Sequence, residues 1–283
     1  MRYLLLLTLF VNTALAQTML PVDCNTVFVC IDSITLKEMQ SNKYLTDTLC
    51  ICRQNATATN EEQYSGWYMI GRAATLEWFL PNPHGHFGDH PGDIGVELKT
   101  RKIGQQDNLL LQALKQGLSV DTATTAIQDS TTYLPWYRTL TPKAKPENLQ
   151  ITNIEYTREY LTDLGFEPRE INAAMTFADF NTHLAKGRPY PRQFSQITAV
   201  SLQLTTAQLK QIRAFLRLNN FKDDGRAFHN GQFSLFYKTN DRLDKVKLTS
   251  IELELLSDQG HRNIALHNLD LKVTGKRAVF AFK

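Results

Sequence analysis

Three stretches of the chain, 26–31, 75–80 and 93–98, alternate a clean aliphatic face with a mixed polar one. Side chains of a strand point to opposite sides in turn, so Val27/Val29/Ile31, Leu76/Trp78/Leu80 and Ile94/Val96/Leu98 are expected to face a hydrophobic core. The other faces collect Thr26, Cys30, Thr75, Glu77, Asp93 and Glu97. A carboxylate in mid-strand is disfavoured by propensity, and its recurrence predicts a concave polar site.

Between these strands the pattern changes period. A capping box at Thr35 and Glu38 opens an apolar helical stripe that ends near Leu45. Segment 49–53 reads as a strand, 55–63 as a polar loop, and 67–70 with 75–80 as a hairpin turning at Gly71. The strand-helix-three-strand unit then restarts, with a helix over 107–116 closed by Gly117 and strands over 124–127, 133–140 and 149–156. A helical pattern covers 168–185, and the Pro-rich run 188–193 reads as a linker. The unit recurs once more in a strand at 197–204, a helix over 206–218, a hairpin at Asn230-Gly231 and a strand at 248–255, followed by a hairpin around Gly275. The predicted fold class is α+β, with repeated strand-helix-three-strand modules paired into a half-open barrel and a further C-terminal module of the same type. The modules occupy about 24–81 and 92–160, followed by helical 161–187, with the third over 194–283.

Composition changes this picture little. The chain has 283 residues, 42% hydrophobic and 21% charged, enough for one large or two medium domains. Arg2, an apolar run and the small-x-small site Ala14-Leu15-Ala16 read as an export signal over 1–16, so a periplasmic or extracellular destination is expected. Nothing downstream is long and apolar enough to read as a membrane span. A net charge of +3, with both signs interspersed, points away from nucleic acid as a partner. Cys24, Cys30, Cys50 and Cys52 all fall early; Cys24 and Cys30 on one strand lie roughly 20 Å apart, so a bridge would join one pair to the other. The alternative is four free, buried thiols.

The stretches 27–32, 67–81 and 92–97 resemble the vicinal-oxygen-chelate superfamily of glyoxalases, bleomycin-resistance proteins and extradiol dioxygenases. More narrowly, 65–82 with 133–137 and Glu155-Tyr156 is similar to an uncharacterised glyoxalase-like bacterial family. The resemblance implies a glyoxalase-like domain over 17–187 and a small molecule bound between modules, with lyase, isomerase or dioxygenase chemistry on a divalent metal. Its ligand positions map to Thr26, Glu77, Asp93 and Glu155. Thr26 departs from the pattern, since a hydroxyl is a poor ligand. An oxygen set of Glu77, Asp93 and Glu155 suits Mg²⁺, Ca²⁺ or Mn²⁺ better than zinc. Glu77 is then the expected general base. Because such barrels close within one chain or between two, a homodimer is a further expectation.

Other candidates lie beside this set. The loop 84–93 carries His84, His86 and His90, and folded over the cleft, His86 or His90 would replace the missing first-strand ligand. Cys30 is the one thiol on the polar face, and Trp67, Tyr68, Trp136 and Tyr137 are candidates to line a pocket rather than the core. The rival expectation is a non-catalytic binding or scaffold protein that has lost the metal.

Overall fold

In a computed structural model, residues 20–283 are described apart from 84, 86, 87 and 130; the expected export signal at 1–16 lies outside them. The first module is β1 (Asp23–Cys30), α1 (Ser33–Ser41), β2 (Ile51–Ala58), β3 (Gln63–Ile70) and β4 (Thr75–Phe79). The second is β5 (Ile94–Lys99), α2 (Gln105–Lys115), β6 (Val120–Asp129), β7 (Thr132–Pro142) and β8 (Leu149–Tyr156). Together they make one eight-stranded sheet in the order β2-β3-β4-β1-β5-β8-β7-β6, curled into a half-barrel. β1 and β5 meet antiparallel at its centre, and each runs parallel to the last strand of its own module because a helix carries the chain back between them.

The aliphatic faces behave as their alternation dictates: Val27, Val29, Leu76, Trp78, Ile94, Val96 and Leu98 are buried in one core. Leu80 is the exception at 46% exposed, because β4 ends one residue earlier. Residues 55–58 are strand rather than loop. β2 pairs with β3 along its whole length, from Ile51↔Ile70 to Ala58↔Gln63, and as an edge strand it tolerates polar residues there. The cap of α1 is Asp32, whose Oδ1 accepts from the N–H of Ile34 and Thr35.

Between the barrels the expected helix at 168–185 is divided. α3 (Arg158–Asp163), α4 (Pro168–Asn172) and α5 (Phe177–Leu184) are separate, α5 opening on a capping box at Thr176 and Asp179. Their Leu161, Phe166, Ile171, Phe177 and Phe180 form a satellite core that packs on Tyr156, closing one end of the first barrel. Segment 188–193 is fastened down: Gln193 N–H donates to the carbonyls of Thr48 and Leu49, and the Tyr190 hydroxyl donates to that of Ile70.

The C-terminal region holds two module halves where the pattern shows one. β9 (Phe194–Leu204), α6 (Thr206–Leu218), β10 (Lys222–Asp223), β11 (Ala227–His229) and β12 (Ser234–Thr239) repeat the module. β13 (Lys247–Leu255), β14 (His261–Ala265), β15 (Leu269–Thr274) and β16 (Arg277–Phe282) form its partner, without a helix. The five residues after β13 are too few for a helical return, so β16 runs antiparallel to β13 instead of parallel. The second sheet otherwise copies the first, in the order β10-β11-β12-β9-β13-β16-β15-β14. The halves share one core, in which Trp78 meets Phe280 edge-on at 5.5 Å and the Asn148 side chain bonds both backbone groups of Val246. No helix of the described residues is long and apolar enough to cross a membrane.

Candidate functional site

The polar faces of β1, β4 and β5 form the floor of a cup inside the first barrel. An irregularity in β1 between Cys24 and Thr26 lets the consecutive side chains Asn25 and Thr26 both reach it. Register then sets the chemistry. Thr26 lies opposite Thr75 on one side and Glu97 on the other, and Phe28 lies opposite Glu77 and Gly95. Glu77 and Glu97 therefore stand on the two strands flanking β1. The cavity above them is about 350 Å³, walled by Tyr64, Tyr68, Trp136, Tyr137 and Tyr156.

Burial dominates the electrostatics. It raises the Glu77 carboxyl well above its ordinary range, with the charge of Glu97 adding to the effect. Burial likewise lifts Glu97, to about 7, against hydrogen bonds from Asn25 and Thr26 that favour its ionised form. The phenols of Tyr64, Tyr68 and Tyr137 are pushed up, first by burial and then by neighbouring acidic groups. Asn25 donates through Nδ2 to Thr26 Oγ1 at 2.8 Å, while its buried Oδ1 has no partner.

A family model described as "Family of unknown function (DUF5829)" matches residues 24–282. The chain belongs to that family. A hypothetical protein from Staphylococcus aureus of known crystal structure shares the fold, with a TM-score of 0.54 at 9% identity over 86% of this chain and 95% of that one. Other structural neighbours are of glyoxalase and extradiol dioxygenase type. The Mn(II)-bound glyoxalase from Novosphingobium aromaticivorans aligns at TM-score 0.42 and 8% identity, over 91% of this chain and 80% of that one. The 2,3-dioxygenase LapB from Pseudomonas sp. KL28 aligns at 0.43 and 9%, over 92% and 90%. No curated protein matches the sequence.

Of the residues singled out in the sequence of this DUF5829 chain, Thr26, Glu77, Tyr68, Trp136 and Tyr137 line the cup. The others lie elsewhere. Trp67 points to the opposite face, 4% exposed, in register with Trp78 in the core. Cys30 is buried beyond the Phe28 and Phe79 rings, with Sγ 3.6 Å from the Gly88 carbonyl. Its thiol is pushed up to about 12, first by burial and then by Asp93 and Asp89, the reverse of an activated nucleophile. The close thiol pair falls within one of the expected pairs rather than between them: Cys50 Sγ and Cys52 Sγ are 3.5 Å apart, and none of the four cysteines forms a disulfide.

The structure does not bring Glu77, Asp93 and Glu155 together. Asp93 precedes β5 and holds a turn, its Oδ2 accepting from Asp89 N–H and His90 N–H at 3.0 Å each. Glu155 projects from the other face of β8 to the start of α2, where it accepts from Gly104 N–H and Gln106 N–H at 2.8 Å each and from Thr100 Oγ1 at 3.2 Å. His86 lies outside the described residues. His90 sits with Asp89 and Asp93, the grouping of three ligand-type side chains among the described residues, on a largely exposed turn away from the cup. In the cup the corresponding positions are Thr26, Glu77, Glu97 and the hydrocarbon Ile154. The Thr26 hydroxyl is already engaged by Asn25 and Glu97. Among the described residues, two carboxyls with no imidazole and no third strong ligand do not fit the chelated metal that the resemblance implies.

Glu97 and Asn25 on the floor, with Tyr64 and Tyr156 on the walls, are among the lining residues left out of the site by sequence reasoning. The signal for Glu97 was present, since it shares the polar face of β5 with Asp93. Parity alone gave no reason to prefer the inner position. Asn25 had no signal, because regular alternation assigns it to the opposite side from Thr26.

Proposed function

We propose that this protein binds a small molecule in the first-barrel cup, with Glu77 and Glu97 as the recognition pair and no metal chelated between them. The observation that carries this reading is the pairing of two inward carboxyls on the strands flanking β1, beneath a cavity walled by aromatic rings. Such a cavity excludes water while leaving a few polar groups to orient a ligand. The glyoxalase-like fold is consistent with an intra-barrel small-molecule site. We further place the protein outside the cytoplasm, on the strength of the export pattern in 1–16.

The pair also has acid–base capacity. Burial holds the Glu77 carboxyl well above its ordinary range, and Glu97, lifted to about 7, exchanges a proton near neutral pH. The test is thermal unfolding of chelator-treated protein against a small-molecule library, with and without Mg²⁺, Ca²⁺ and Mn²⁺, repeated on Glu77→Gln. Ligand shifts that need no metal and are altered in the variant support the reading. Shifts that appear only with a metal present would overturn it.

A further inference from the structure

Resting on that reading of the cup, we propose that its ligand is a protonated organic amine: a primary ammonium head seated between Glu77, Glu97 and Asn25, with an apolar or aromatic body against the tyrosine walls. Among the described residues the lining contains two carboxyls and no Lys, Arg or His. An anionic ligand would meet like charge with no compensating cation, which disfavours its burial. At the floor the buried atom left without a partner is an acceptor, while Trp136 Nε1 on the wall is an unpartnered donor. Asn25 is 4% exposed and its Oδ1 has no partner, so an N–H from the ligand would satisfy it. A primary ammonium carries three donors and no acceptor, matching Glu77, Glu97 and Asn25 Oδ1 one to one.

The walls favour the same charge. Tyr64 and Tyr68 on β3, Trp136 and Tyr137 on β7 and Tyr156 on β8 surround the cavity, and π-faces attract cations. The chain already uses one of these rings in that way. Lys99 Nζ lies 5.3 Å from the centroid of Tyr156. It is held there by the carbonyls of Thr100 at 3.0 Å and Met175 at 3.3 Å, so it is turned away from the cup and lends it no positive charge. From the helices that close the barrel, Tyr160 is the only titratable group among the described residues that line the cavity, and Glu61 adds negative charge near Tyr137.

A cation bound here draws Glu97, and then Glu77, toward the ionised form. Binding therefore releases protons, and affinity rises with pH through about 7, the value to which burial lifts Glu97. Isothermal titration of the full chain with 2-phenylethylamine, 2-phenylethanol and 3-phenylpropionate tests the proposal. The amine is expected to bind at least tenfold more tightly than the other two, to release protons, and to weaken by up to about tenfold per pH unit below 7. Glu97→Gln should bring the amine level with the alcohol, and Glu77→Gln gives the same comparison if the first variant fails to fold. If the alcohol or the carboxylate binds as tightly as the amine and loses that binding in Tyr68→Ala, the cup binds ligands but the cation inference is overturned. If none of the three binds, the cup reading falls and the inference with it. Amine binding indifferent to both Gln variants also overturns the inference.

Discussion

The Phe28 ring lies across Gly95: a Cβ built on that glycine would stand 1.9 Å from Phe28 Cζ. Phe79 covers Gly66 in the same way, at 2.5 Å, and the two rings meet edge-on with centroids 6.3 Å apart. Two glycines therefore leave room for these aromatic rings over the sheet, between the cup and the Cys30 and Asp93 region. Gly95→Ala is expected to destabilise the fold by about 2–3 kcal/mol through overpacking. The displaced ring should also narrow the cup, so denaturant unfolding and ligand affinity should change together.

Stability should fall as pH rises. Glu97 and Glu77 have folded-state values above the ordinary carboxylate range, so the native state holds more protons than the unfolded one across that window. Native stability is then greatest at mildly acid pH and declines from about pH 4.5 through 7 on account of Glu97, with Glu77 acting in the same direction. Glu97 alone would account for at most about 3 kcal/mol. Calorimetry between pH 5 and 8 should show this slope in the wild type and a flatter profile when both residues are Gln.

Glu155 should act on folding and not on the cup. Its carboxylate satisfies two N–H groups at the start of α2, with Thr100 Oγ1 as a third donor. Glu155→Ala is expected to cost about 2–4 kcal/mol, because those buried donors lose their partner. Ligand affinity, measured well below the unfolding temperature, should be unchanged.

Trp78 joins the two barrels. It is fully buried, donates Nε1–H to Met69 Sδ at 3.0 Å and packs against Phe280 and Phe282 of β16. Trp78→Ala should cost about 3–5 kcal/mol. Broadening of the unfolding transition into two steps would show that the shared core couples the halves through this residue.

Much of the fold is legible in the chain. Alternation identifies which residues of β1, β4 and β5 face the core, because a buried face tolerates few polar groups. The 3.6-residue stripe marks α6 over 206–218, the limits found in the structure. The helix-less half at 247–282 is not legible as a module, since its hairpins carry no signal that relates them to the others. Glu155 shares parity with Leu149 and Ile151, and the structure confirms that all three leave the cup.

The sequence by itself determined that Glu77 and Glu97 lie on polar strand faces, since parity is a local property of the backbone, and it assigned Asp93, which ends in the turn before β5, the same parity as Glu97. Only the tertiary structure decided that Glu97, and not Asp93, shares a cavity with Glu77. That choice depends on interstrand register, Thr26 against Glu97, and on the β1 irregularity that brings in Asn25. Both are fixed by how the modules close on a common core, through pairings between residues some 70 positions apart that no local pattern encodes.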